Sequence, residues 1–257
     1  MACIVDLAGK RGLVVGIANA HSIAAGCAAA FRDAGAELAV TYLNEKAEPF
    51  VRPVAEQLEA ALGVPCDVRV PGQLEQVFEA VAQTWGRLDF LLHSIAFAPR
   101  EDLHTSVVNC SAEGFALAMD VSCHSFIRMA RLAAPLMTDG GCLLTVSFYG
   151  ADRVVENYNL MGPVKAALEA SVRYIAADLA EKKIRAHAIS TGPVKTRAAS
   201  GIGRFDELID EVRKRTPAGR LVGIEEIGRV AAFLVSDAAS PLSGSVVYAD
   251  NGFHTMA

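Results

Sequence analysis

No stretch of this chain approaches the roughly 18 unbroken apolar residues that a membrane-spanning helix requires. That holds although 52% of its 257 residues are hydrophobic and the mean hydropathy is +0.30. Such richness is expected of a fully buried sheet, with helices that bury further surface between subunits. A cationic surplus is also missing: 24 Lys and Arg against 29 Asp and Glu leave a formal charge of −5, which disfavours nucleic acid as the main partner. Cysteines 3, 27, 66, 110, 123 and 142 show neither close pairing nor ligand spacing. Histidines 21, 93, 104, 124, 187 and 254 form no metal-spaced cluster. We therefore expect no metal site and reduced thiols in a cytoplasmic protein. The opening MACIVDLAGKRG carries charges where a signal peptide would stay apolar, so no export is expected. Repeats, low-complexity tracts and linkers are absent, and 1–257 reads as a single domain. Even the dinucleotide fingerprint G-x-G-x-x-G is missing.

What is present is alternation. Strand-like runs at Gly12–Gly16, Glu37–Tyr42, Cys66–Val68, Asp89–Ser94, Cys142–Ser147, Ala186–Ser190 and Ser245–Asp250 alternate with helical patterns near 22–34, 45–62, 73–85, 112–137, 157–181 and 224–236. Strands alternating with helices imply right-handed βαβ units. The predicted class is α/β: a Rossmann-like, doubly wound, seven-stranded parallel sheet with helices on both faces. The least regular stretch, 191–222, contains Gly192, Pro193, Gly201, Gly203, Pro217 and Gly219 and is expected to be a substrate-binding loop or lid.

Two places carry chemistry. Tyr158 and Lys165 stand seven residues apart. On a helix that is nearly two turns, placing both side chains on one face about 10 Å apart along the axis. A phenol beside an ammonium suits hydride chemistry, where negative charge develops on a substrate oxygen. The plainer readings are a tyrosine packed on the sheet and a surface lysine. Near the start, Gly16 closes the first strand and Ser22 is a sound N-cap. Together they describe either an ordinary βα turn or a diphosphate site at a helix N-terminus.

The loop Gly16-Ile17-Ala18-Asn19-Ala20-His21-Ser22-Ile23-Ala24 resembles that of the enoyl-acyl-carrier-protein reductases, a divergent branch of the short-chain dehydrogenase/reductase family. The likeness spans nearly the whole chain. It includes Thr41-Tyr42, Cys66-Asp67-Val68, His93 through Ala98, Tyr158 through Lys165, Ala188 through Pro193, and Asp250-Asn251-Gly252-Phe253. Asn159, Met161, Ala166 and Glu169 match as well. The resemblance implies an enoyl thioester substrate, an acyl-carrier partner and a homotetramer built through the 112–137 and 157–181 helices. It implies that Tyr158 hydrogen-bonds the thioester carbonyl and that Lys165 grips the nicotinamide ribose. Gly16, Ser22 and Ile23 would meet the diphosphate, Asp67 and Val68 the adenine, Ile95 the adenosine ribose, and Val194 and Thr196 the nicotinamide. Ala98, Phe148 and Tyr149 are assigned to the substrate pocket. Plain packing accounts equally for Val68, Ile95 and Val194, and a solvated strand-end carboxylate for Asp67. After the second strand, Leu43 and Asn44 carry no charge, so NADH is expected over NADPH, with Lys46 the residue that speaks for the phosphorylated form.

Three departures from the pattern matter. Phe148 stands where many bacterial members have a second tyrosine, ten residues before the catalytic one, and Tyr149 is adjacent. Ala96 replaces a glycine. Arg204 through Glu211 bears four carboxylates and one arginine where relatives are basic, although Arg213, Lys214 and Arg215 follow. A carbonyl reductase is the alternative enzyme, with Thr145 at the spacing of that group's substrate-binding serine and Ser147 close by. A non-catalytic dinucleotide-binding regulator is the third reading. His93, at a strand end, is expected to pack.

Overall fold

A computed structural model describes residues 4–196 and 203–256. Cys3 and Gly201, singled out above, lie outside them. Seven strands form one parallel sheet in the order β3-β2-β1-β4-β5-β6-β7. They are β1 (Arg11–Val15), β2 (Glu37–Tyr42), β3 (Leu62–Pro65), β4 (Phe90–His93), β5 (Gly141–Phe148), β6 (Ile184–Thr191) and β7 (Ser245–Ala249). The order reverses between β1 and β4, and a crevice opens beyond the strand ends at such a switch point.

Strand parity divides the core in two. Leu13, Leu91, Leu143 and Ala188 face one layer, with Phe126, Val164 and Leu168. Val14, Leu92, Leu144 and Ile189 face the other, with Phe31 and Ile227. The helices on the first face are α3 (Gln73–Trp85), α5 (Ala112–Met119), α6 (Ser125–Ala133) and α7 (Met161–Asp178). Those on the second are α1 (Ile23–Asp33), α2 (Glu48–Gln57) and α9 (Ile224–Val235). Here α1 and α9 come close enough that a Cβ on Gly26 would stand 2.6 Å from the Ile224 carbonyl oxygen.

The third strand differs from expectation: it is Leu62–Pro65, and Cys66-Asp67-Val68 follows it as a loop. Gly63 and Pro65 are poor strand formers, but β3 lies at the sheet edge, where a missing N–H is tolerated. The expected 112–137 helix is interrupted by a π turn at Asp120–His124. The irregular 191–222 stretch contains a helix, α8 (Phe205–Arg215). A one-turn helix, α4 (Arg100–Leu103), precedes α5.

Candidate active site

Beyond the C-terminal ends of β1, β4, β5 and β6 lies a cavity of about 220 Å³. At its floor the chain leaves β1 through Gly16, whose φ is +108°. A Cβ there would sit 2.2 Å from the Ser94 carbonyl oxygen, so only glycine allows the loop to run against β4. Ser22 then caps α1: its hydroxyl donates to the Asn19 carbonyl at 2.8 Å and accepts from the Ala25 N–H at 3.2 Å. The first-turn amides of Ile23 and Ala24 precede any helical partner and point toward the N-terminal side of α1, an anion-favouring end. Gly16, Ser22, Ile23, Ile95, Val194 and Thr196 all border the cavity.

Tyr158 and Lys165 border it too. The helical premise for their spacing is corrected, because α7 begins only at Met161 and Tyr158 lies in the preceding turn. Asn157 and Asn159 flank the tyrosine with φ of 62° and 43°, left-handed values that asparagine tolerates. Asn159 ties this turn to the opposite wall by donating its Nδ2–H to the Leu103 carbonyl at 2.7 Å. Burial, seconded by Glu169, pushes the Tyr158 phenol above its ordinary value. It therefore stays protonated and serves as a hydrogen-bond donor. Lys165 is 5% exposed and donates to the Val146 carbonyl at 2.7 Å. Burial pulls its ammonium down to about 8, against an upward influence from Glu169 and a smaller one from Cys123. A buried proton donor and a cation thus share one apolar cavity.

The family model for enoyl-(acyl carrier protein) reductase matches residues 16–254. The chain belongs to the enoyl-acyl-carrier-protein reductase family. An NADH enoyl-acyl-carrier-protein reductase of Rhizobium meliloti is 44% identical over 248 residues, 96% of this chain and 91% of that protein. The crystal structure of the Aquifex aeolicus NADH reductase superposes with a TM-score of 0.95 at 44% identity, covering 99% of each chain. That of the Anaplasma phagocytophilum reductase in complex with NAD gives 0.94 at 42% identity, covering 100% of this chain and 97% of the other.

Within this reductase the remaining expected residues separate. Ala98 and Phe148 line the cavity, as does Ala96. The Phe148 ring lies 4.8 Å from that of Tyr158. Tyr149 is not on the cavity wall: β5 ends at Phe148, and the next residue turns its ring edge-on to Phe253, centroids 5.3 Å apart. Leu43, Asp67 and Val68 lie outside the cavity walls as well. Leu43 is exposed, Val68 is buried in the core, and the Asp67 carboxylate is gripped by Arg69 through Nη2 at 2.6 Å and Nε at 2.9 Å. That guanidinium holds the Asp67 carboxyl below the usual range.

Thr145 is fully buried and bonded to His93 Nδ1 at 2.8 Å, so it presents no hydroxyl to a substrate. The partners of His93 fix its tautomer. Ser125 donates its single O–H to the Val121 carbonyl at 2.7 Å, so it accepts from Nε2–H, and Nδ1 accepts from Thr145. Burial lowers this imidazole to about 3, with Lys165 assisting. His93 packs, as expected, but within a polar chain.

The sequence reading missed Ser122. From the π turn its hydroxyl accepts from the Phe97 N–H at 2.9 Å and donates to the Phe97 carbonyl at 3.0 Å, pinning the Ala96–Ala98 wall. A buried serine inside an apolar helical pattern carries no local sign of this. Met161 and Leu103, also on the wall, were hidden among ordinary core residues.

Proposed function

We infer that the chain reduces the trans-2 double bond of an enoyl thioester, as an NADH-dependent enoyl-acyl-carrier-protein reductase of fatty-acid synthesis. The observation that carries this is the Tyr158 phenol and Lys165 ammonium on one cavity at the strand ends, in a family named for that reaction. The donor set suits a dinucleotide: helix-end amides at Ile23 and Ala24 for a diphosphate, and the Lys165 ammonium for ribose hydroxyls. When bound, NADH supplies the hydride that reaches the β-carbon. Tyr158, held protonated by burial, donates to the thioester carbonyl as negative charge develops there. Lys165 orients the ribose and adds positive potential. The Phe148 face, with Ala96 and Ala98, excludes water from the acyl chain. Leu43, Asp67 and Val68 would hold the adenosine half beyond the cavity, along the open ends of β2 and β3. The uncharged Leu43-Asn44 pair after β2 favours NADH over NADPH.

A carrier protein as the thioester's bearer is consistent with the family, although two of the three cations in the last turn of α8 are paired with carboxylates of the same helix. Arg213 pairs with Asp210 at 3.4 Å and Arg215 with Glu211 at 3.2 Å. The stretch 191–222 is proposed as the lid of a single-domain enzyme. A homotetramer is supported by half-exposed Phe115 and Ile127 and the exposed Tyr174 on α5, α6 and α7. A cytoplasmic setting is supported by the free thiols of the five described cysteines, and no described helix is long and apolar enough to cross a membrane.

The test is a panel of enoyl-carrier, enoyl-CoA and 3-oxoacyl substrates with each nicotinamide cofactor. NADH oxidation by enoyl thioesters is expected, and activity confined to 3-oxoacyl substrates would overturn the reading. Tyr158→Phe is expected to lower kcat roughly 100-fold while NADH affinity stays near the parent's. Unchanged turnover would remove Tyr158 from the reaction.

A further inference from the structure

Resting on the reductase reading, we propose that Glu169 is the buried counter-charge of Lys165. It is a positioning residue which, anchored by Ser147, keeps that lysine charged where it meets the cofactor.

The geometry begins on β5. Val146 and Ser147 are consecutive, and each holds one ionisable side chain of α7. The Val146 carbonyl accepts from Lys165 Nζ at 2.7 Å, and the Ser147 hydroxyl donates to Glu169 Oε1 at 2.5 Å. Lys165 and Glu169 are four residues apart on α7, hence on one helix face. Both are buried, at 5% and 9% exposure. An ammonium removed from water without an opposite charge loses its proton readily, because desolvation penalises the charged form. A carbonyl dipole offsets only part of that penalty.

The other groups near this pair do not substitute for the carboxylate. Around Lys165 stand His93 of β4, held neutral, Cys123 of the π turn, and Tyr158, held protonated. Around Glu169 stand Asp152, Tyr248 of β7 and Arg173, which donates to the backbone carbonyl of Glu169 at 3.2 Å. Burial holds the Glu169 carboxyl above its ordinary value, and the Ser147 hydroxyl and then Lys165 oppose that rise without cancelling it. Ser147 thus serves the pair and not the substrate, although it lies on the cavity wall. The carboxylate does not touch the reacting atoms, and its effect passes through the lysine.

Glu169→Gln tests this, because the amide keeps the size and still accepts from Ser147 while removing the charge. The basic limb of kcat/KM is expected to move to lower pH, with NADH binding several-fold weaker near pH 8 and close to the parent's near pH 6. Glu169→Asp, which keeps the charge, should bring the limb back toward the parent's. A purely structural glutamate would leave the limb of Glu169→Gln superimposed on the parent's, and that outcome overturns the proposal. NADH binding followed by fluorescence without substrate separates the two readings. A parent protein that binds NADH but turns over no enoyl thioester sinks the reductase assignment, whereas the pH dependence of binding still reports on Glu169. Should the amide variant fail to fold, the carboxyl carbon of Glu169 in the unmodified enzyme decides by its NMR titration. It should be ionised wherever Lys165 is charged, and a carboxyl still protonated near pH 8 refutes the counter-charge.

Discussion

A single missing methyl governs the entry to the cavity. Gly16 combines a left-handed φ of +108° with a 2.2 Å approach to the Ser94 carbonyl that any Cβ would obstruct. Gly16→Ala is therefore expected to cost about 2–4 kcal/mol, from backbone strain plus displacement of the loop. It should weaken NADH binding in parallel, because the same loop sets the start of α1. Denaturant unfolding and a binding titration check both; a variant as stable as the parent would show that the loop moves freely. At this scale the sequence was legible where chemistry is unusual. Tyr158 and Lys165 stood out by residue type, and the structure brings both to one wall. Tyr149 and Phe148 were not separable, since which of two adjacent aromatics faces a cavity depends on where β5 stops.

Among the elements, the π turn between α5 and α6 is the most informative, and π turns recur at functional sites. Its extra residue swings Ser122 toward the loop after β4, where the hydroxyl spans both the N–H and the C=O of Phe97. Ser122→Ala leaves two backbone groups short of a partner, a loss of about 1–2 kcal/mol. If the clamp sets the substrate wall, KM for the enoyl thioester rises more than the NADH affinity falls. Equal changes in both would mean that Ser122 merely seals the core. Periodicity located this helical region but not its interruption, because apolar residues recur on both sides of the break and no glycine or proline marks it. The third strand was misplaced for a related reason: the apolar look of Cys66 and Val68 outweighed Leu62–Pro65, whose pairing with β2 comes from the sheet edge and not from propensity.

For the molecule as a whole, the polar chain under the sheet ends sets a pH limit. His93 is held neutral and lowered to about 3 by burial, whereas in the unfolded chain it titrates near its ordinary 6.5. Between those values the unfolded state binds the additional proton, so stability is full above about pH 6.5 and is lost as pH falls toward 3. From pH 7 to 5 the loss from His93 alone is on the order of 2 kcal/mol. His187, lowered to about 4, acts in the same direction. Urea midpoints at the two pH values measure the fall, and His93→Gln should flatten it. An equally steep dependence in that variant would assign the acid sensitivity elsewhere.

Residue order alone was enough to give the α/β alternation, to single out Tyr158 and Lys165, and to show the uncharged Leu43-Asn44 pair directly after the second strand, because each is carried by neighbours within a few positions. The partnerships of Ser147 with Glu169, Ser122 with Phe97 and Thr145 with His93 join residues 22, 25 and 52 apart. Strand parity, sheet register and helix packing decide which buried hydroxyl faces which neighbour. Those directions arise only once the layers close, when every buried polar group must find a partner inside the protein.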